Sequence, residues 1–238
     1  MRILRRSAER FHTEISWLNS RHTFSFGHHF DPKWRGFGTL LVLNDDVVAP
    51  QGGFATHGHR DMEIVSYVVE GALAHKDSMG NGTTIRRGEV QRMSAGTGVR
   101  HSEYNATPGG SVRFLQLWFP PTTLGLQPSY AQASIDENAR RGRFALLAGP
   151  EGEGGVVSMH ADARLYGAIL ADDEVTTFDV PQGRGVWVQV VTGHVALDGE
   201  DLDEGDGVGV LLEPGEPTTL RLAGTRGGAE VLIFDVAG

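Results

Sequence analysis

The chain contains no cysteine in its 238 residues. That absence removes a disulfide scaffold, a thiolate metal site and a cysteine nucleophile together. Basic charge is also short: 21 Lys and Arg stand against 30 Asp and Glu, a net charge of −9. A nucleic-acid partner held through its phosphates is therefore not expected. No apolar run approaches the ~18–20 residues that a membrane-spanning helix needs. Helical periodicity is scarce as well. Its best stretch, Ser129 to Arg143, is polar and follows Pro120, Pro121 and Pro128, so it reads as a linker. Met1 to Leu18 carries four arginines, but Glu9 and Glu14 oppose an organelle-targeting helix and no secretory apolar segment follows. The segment is expected to be a surface strand or irregular arm, and the protein cytoplasmic.

What the chain has in surplus is glycine, 33 residues or about 14%, roughly twice the usual share. Without a collagen-like period, that surplus implies many tight turns between short strands. Apolar alternation at period two runs through Gly38 to Leu43, Met62 to Glu70, Ser111 to Phe119, Gly185 to Val191 and Glu230 to Phe234. Gly, Pro, Asn and Asp bound these runs, as expected of strands in an all-β protein. The aspartates of Leu43-Asn44-Asp45-Asp46 and those between Asp201 and Asp206 read as turn residues.

The two halves repeat. Val68-Val69-Glu70-Gly71 followed by Ala-Leu-Ala answers to Val190-Val191-Thr192-Gly193 followed by His-Val-Ala-Leu, and Leu43 to Asp46 answers to Leu170 to Asp173. Two copies of one small β domain explain this, divided as residues 1–130 and 131–238. The copies differ in one chemical respect. The first holds His57-Gly58-His59, whereas the second has no histidine between Ala161 and Gly193.

His57-x-His59 and His101-x-Glu103 are the informative pairs. Residues i and i+2 of a strand share a face, so two adjacent strands would set three imidazole nitrogens and one carboxylate oxygen around a divalent ion. Such a sulfur-free set suits Fe(II), Mn, Ni, Cu or Zn. His22, His28 and His29 read as exposed or structural, in a segment with the reach to lid the site. His12, His75, His160 and His194 read as structural. Phe54, Met93, Phe114 and Trp118 read first as barrel core.

Gly52, Gly53, His57, His59, Glu63 and Gly71 resemble the first cupin motif, and Gly88, Gly96, His101 and Asn105 the second. With Ser20 to Gly27, Gly36 to Asp46, His75 to Asn81 and Ser94 to Glu103, the chain resembles the pirin family. QVVTGHVALDG and LDEGDGV resemble its degenerate C-terminal cupin. The resemblance implies two tandem cupin jelly-roll barrels, with His57, His59, His101 and Glu103 holding one iron in the first and no metal in the second. It leaves Glu63, the carboxylate of the general cupin motif, as an outer hydrogen-bond partner. Ser94 departs from the general motif, which has proline there. The implied activity is a quercetin 2,3-dioxygenase type of flavonol cleavage by O₂ with release of CO, Glu103 taking the substrate proton. The alternative is an iron-dependent, redox-sensing regulator that binds a protein partner and turns nothing over.

Overall fold

The structure is a computed structural model that describes residues 1–212 and 218–237. Among the described residues, helix is confined to two 3₁₀ turns, Ser7–Glu9 and Glu137–Arg140. Among the described residues no helix is long and apolar enough to cross a membrane. The first half forms two facing antiparallel sheets. One has seven strands in the order Ser129–Ser134, Glu89–Ser94, Glu63–Glu70, Val112–Phe119, Val42–Val48, Leu18–His22 and Phe11–Ile15. The other has four, Gly53–His59, Val99–Asn105, Ala72–Asp77 and Gly82–Arg86.

The second half repeats this plan. Val175–Val180 pairs with Thr218–Ala237, which pairs with the end of Arg184–Leu197, which pairs with Glu200–Asp203. That is the order of the four-stranded sheet of the first half. Arg184–Leu197 and Thr218–Ala237 each stand where the first half has two strands, so the second half closes as one continuous sheet. Gly71 and Gly193 mark the matching bend in each copy, at φ of +79° and +77°. A Cβ there would lie 2.4 Å from Thr107 Oγ1 or 2.1 Å from Gly228 O, so only glycine turns the chain at both points. The fold is thus two tandem cupin barrels.

Two segments depart from the sequence reading. Ser129–Ser134 is an edge strand paired with Glu89–Ser94, so the chain at 130–131 lies within a strand of the first sheet and not in a linker. Its small polar residues are compatible with an edge, where one side needs no partner. Of the two readings of the N-terminal segment the strand holds: Arg2–Arg5 pairs with Gly207–Leu211 of the second barrel, and Phe11–Ile15 borders the first. The strand foreseen at Gly38 to Leu43 runs instead over Val42–Val48, with Asn44, Asp45 and Asp46 buried inside it rather than in a turn. Asp45 is tolerated there because Arg113 grips it with two nitrogens at 2.8 and 2.9 Å.

The barrels share one apolar core, in which Phe24, Phe37, Leu117 and Phe119 meet Trp187, Leu232 and Phe234. A buried ionic group crosses the same junction. Arg140 Nη1 donates to Glu230 at 2.6 Å and to the Tyr67 hydroxyl at 2.5 Å, and that hydroxyl also bonds Glu230. Breaking such a pair leaves an uncompensated buried charge. Arg140→Ala is expected to lower unfolding free energy by about 3 kcal/mol or more, read by urea denaturation, with Arg140→Met plus Glu230→Leu recovering most of the loss. Equal stability of the alanine variant and the parent would refute this role.

Candidate metal centre

The geometry begins with strand register. Val99–Asn105 runs antiparallel to Gly53–His59, with His101 opposite His57 and Val99 opposite His59. Alternation then sends His57, His59 and His101 to the same face. Donor atoms of all three lie within 4.8 Å of one another. His57 Nε2 and His101 Nε2 are 3.1 Å apart.

Hydrogen bonds fix which nitrogens carry lone pairs. His57 Nδ1 lies 2.8 Å from the Ala55 carbonyl, which accepts its proton and leaves Nε2 as a bare lone pair. His75 Nε2 donates to Asp77 at 3.1 Å, so its Nδ1 is an acceptor, 3.5 Å from His101 Nδ1. A His101 proton on Nδ1 leaves its Nε2 lone pair facing that of His57. His59 Nε2 is buried and has no hydrogen-bond partner. The buried His59 nitrogen is thus left without a partner, which is costly, beside the two Nε2 atoms of His57 and His101 that face each other. Metal–nitrogen bonds of ~2.0–2.1 Å place neighbouring donors about 3 Å apart, so the residues present fit a divalent cation.

Electrostatics point the same way. Burial, reinforced by the neighbouring His57, pulls His59 down to about 4 and His101 to about 3. Both rings are neutral at physiological pH, the form that ligates. Glu103 is fully enclosed, and burial pushes it up to about 8 against the opposing Ser66 hydrogen bond.

Glu103 does not join the three imidazoles at that spacing. Its carboxylate groups with His75 and His101, accepting from Ser66 Oγ at 3.3 Å and Gln116 Nε2 at 3.0 Å. It does line the same cavity as His57, a space of about 210 Å³ between the two sheets. Glu63 stands apart. Ser94 Oγ donates to it at 2.9 Å and the His160 amide at 3.0 Å. No hydrogen bond joins it to the three imidazoles among the described residues; the groups beside the cluster are Ser66 and Gln116, which bond Glu103, and His75, which lies against His101. Ser94, where general cupins have proline, supplies the hydroxyl that holds this glutamate away.

The sequence reading missed His75, which is buried and packs beside His101 with ring centroids 5.3 Å apart. Its signal was present in the i, i+2 spacing of His75 and Asp77. Alternation also brings Leu18, Ser20 and His22, then Asn44 and Asp46, then Gln116 and Trp118, to the cavity wall. Phe26 and His28 of the N-terminal segment border its mouth, and His22 is buried, bonded to Asn44 Oδ1 at 2.8 Å. Phe54 and Trp118 line the cavity, whereas Met93 and Phe114 are fully buried core.

The second barrel differs at every corresponding point. Counting from Gly71 and Gly193, His75 corresponds to Leu197, and their strand partners Glu103 and Leu222 correspond in turn. His101 then answers to Leu220, His57 to Phe178 and His59 to Val180. These side chains pack into the second barrel's core.

The family described as Pirin matches residues 4–119, and the one described as Quercetinase C-terminal cupin domain matches residues 146–236. The chain is 40% identical over 233 residues to a protein of Escherichia coli K12 named quercetin 2,3-dioxygenase, covering 98% of this chain and 97% of that one. It is 39% identical over 198 residues to a pirin-like protein of Caulobacter vibrioides, covering 83% and 85%. The structure superposes with a TM-score of 0.91 on the bacterial pirin YhhW of E. coli solved in complex with nickel(II), 39% identical, over 100% of this chain and 99% of that one.

The carboxyl and imidazole shifts predict opposite pH slopes in the metal-free protein. Raised carboxyls such as Glu103 stabilise below their ordinary range, and that contribution is lost as pH climbs through about 8. The lowered imidazoles stabilise above 6.5, and theirs is lost as pH falls through about 4 and 3. Between pH 6.5 and 8 only the carboxyl slope remains, about 1–2 kcal/mol of lost stability. Chemical denaturation across that window should show the loss, and Glu103→Gln should reduce it by about half or more. A flat profile for the parent would contradict the burial of Glu103.

Proposed function

The chain belongs to the pirin family, and from that premise we propose that it is a metal-dependent dioxygenase, with iron(II) as its metal, that cleaves a flavonol or related aromatic enol with O₂ and releases CO. The observation that carries the reading is the cluster of three imidazoles, one with a buried nitrogen lacking any partner, of which His57 lines a largely apolar cavity. Relatives named quercetin 2,3-dioxygenase and a relative that binds nickel(II) support it. Nickel, manganese, copper and zinc suit the same donors.

In this reading His57, His59 and His101 hold the ion, and Glu103 completes the set from the cavity wall. The ion when bound supplies the redox chemistry and the positive charge that favours an ionised enol. The protein's own groups do the rest. With a cation beside it Glu103 would be ionised, and it then takes the enol proton at its carboxylate, because it is the carboxyl that meets both the cavity and the histidines. Gln116 Nε2 and Ser66 Oγ hold that carboxylate in place, and Trp118 Nε1 donates to Gln116 Oε1 at 3.2 Å, fixing the amide. Leu18, Phe26, Phe54 and Trp118 exclude water from the space where substrate and O₂ meet.

The ion belongs to the first barrel alone, since Phe178, Val180, Leu220 and Leu222 offer no lone pair at the matching positions. A regulator that binds only a protein partner has no use for a cavity beside its metal, so the cavity favours turnover.

The test is anaerobic reconstitution with iron(II), addition of quercetin and O₂, and measurement of flavonol absorbance and CO. Metal-dependent loss of flavonol with CO is the expected result. Bound iron with no turnover would favour the regulatory reading, to be followed by comparing partners of the Fe(II) and Fe(III) forms. His57→Ala and His101→Ala should each lose iron and at least 100-fold in activity. Stoichiometric iron in either variant would refute the ligand assignment.

A further inference from the structure

The cavity contains a second buried carboxyl that the metal centre does not use. Asp46 is 3% exposed and sits in the middle of Val42–Val48, paired with Ser20 on one side and Phe114 on the other. Alternation separates it from its neighbour: Asp45 turns outward to Arg113, and Asp46 shares the inner face with Asn44. Asp46 lines the cavity that also contains His57 and Glu103. The Ser20 hydroxyl on the paired strand donates to it, and no other protein donor to its oxygens is present among the described residues. A buried carboxyl with a single hydroxyl for its two oxygens is still short of partners, and one that faces a cavity is positioned to be satisfied by what enters it.

The cavity limits what that can be. Its walls are apolar at Leu18, Phe26, Phe54 and Trp118, and its volume is about 210 Å³. An apolar cavity of ~150 Å³ accepts one benzene ring. The enclosed space therefore takes a substituted single ring or a fused pair of rings, and any further ring projects past the exposed Gly27 and His28 at the mouth.

We propose that Asp46 is the recognition group for a hydroxyl on the substrate's enclosed ring, so that this site selects hydroxylated one- or two-ring aromatic cores bearing an enol for the metal and a second hydroxyl for Asp46. The inference rests on the metal-centred reading above and deepens it by naming the substrate feature that the protein reads.

The test is anaerobic calorimetry on nickel(II)-loaded protein with two probes, a hydroxychromone and the same compound carrying a second hydroxyl on its fused benzo ring. The second hydroxyl should tighten binding to the parent about tenfold, the worth of one good hydrogen bond. Asp46→Leu should erase that advantage while its nickel content stays at the parent level. If the leucine variant does not fold, Asp46→Ala gives the same reading. Equal affinity of the parent for both probes, or an advantage that survives loss of Asp46, would overturn the proposal. Probes that bind metal-free and metal-loaded protein equally would instead overturn the metal-centred reading, and this proposal with it.

Discussion

The pairing of Gly53–His59 with Val99–Asn105 is the constraint on which the site depends. The backbone ladder sets His101 opposite His57 and Val99 opposite His59, and the pleat sends all three imidazoles to one face. A slip of one residue would turn one strand's ligands outward and disperse the cluster. The ladder is in turn held by the next strand of the same sheet, since Val99–Asn105 also pairs with Ala72–Asp77 and so brings His75 and Asp77 beside His101. Donor geometry and the tautomers that expose the lone pairs both follow from the register of this one sheet.

Burial then changes the chemistry of what register assembles. Imidazoles that would titrate near neutrality in water are held neutral, and Glu103 holds its proton more tightly than an exposed carboxyl would. The same interior that makes the unpartnered His59 nitrogen costly makes a cation beside it favourable. The second barrel shows the alternative solution on the same plan. With Leu220, Leu222, Phe178 and Val180 at the matching points it buries hydrocarbon, which needs no partner, and its role at the junction is to support the first barrel through a shared core.

The all-β fold, the repeat and the shared face of His57, His59 and His101 were legible because alternation and spacing are local properties of a chain. What could not be read locally depended on which strand lies beside which. Asp45 and Asp46 looked like turn residues because nothing nearby in sequence announces Arg113 as a partner or a cavity beyond the strand. His75 looked structural because His101, its neighbour in space, is 26 residues away. Ser129–Ser134 looked like a linker because its small polar residues gain their order from Glu89–Ser94. Glu63 was placed near the metal on motif position, but Ser94 and the His160 amide engage it elsewhere.

The central claim is that one divalent ion sits among His57, His59 and His101, in the first barrel only. Anomalous diffraction at the iron edge, from crystals of protein reconstituted anaerobically with iron(II), tests it most directly. A single peak bounded by the three imidazole rings is expected. A peak within the second barrel, or full iron content with no peak at the three histidines, would contradict it.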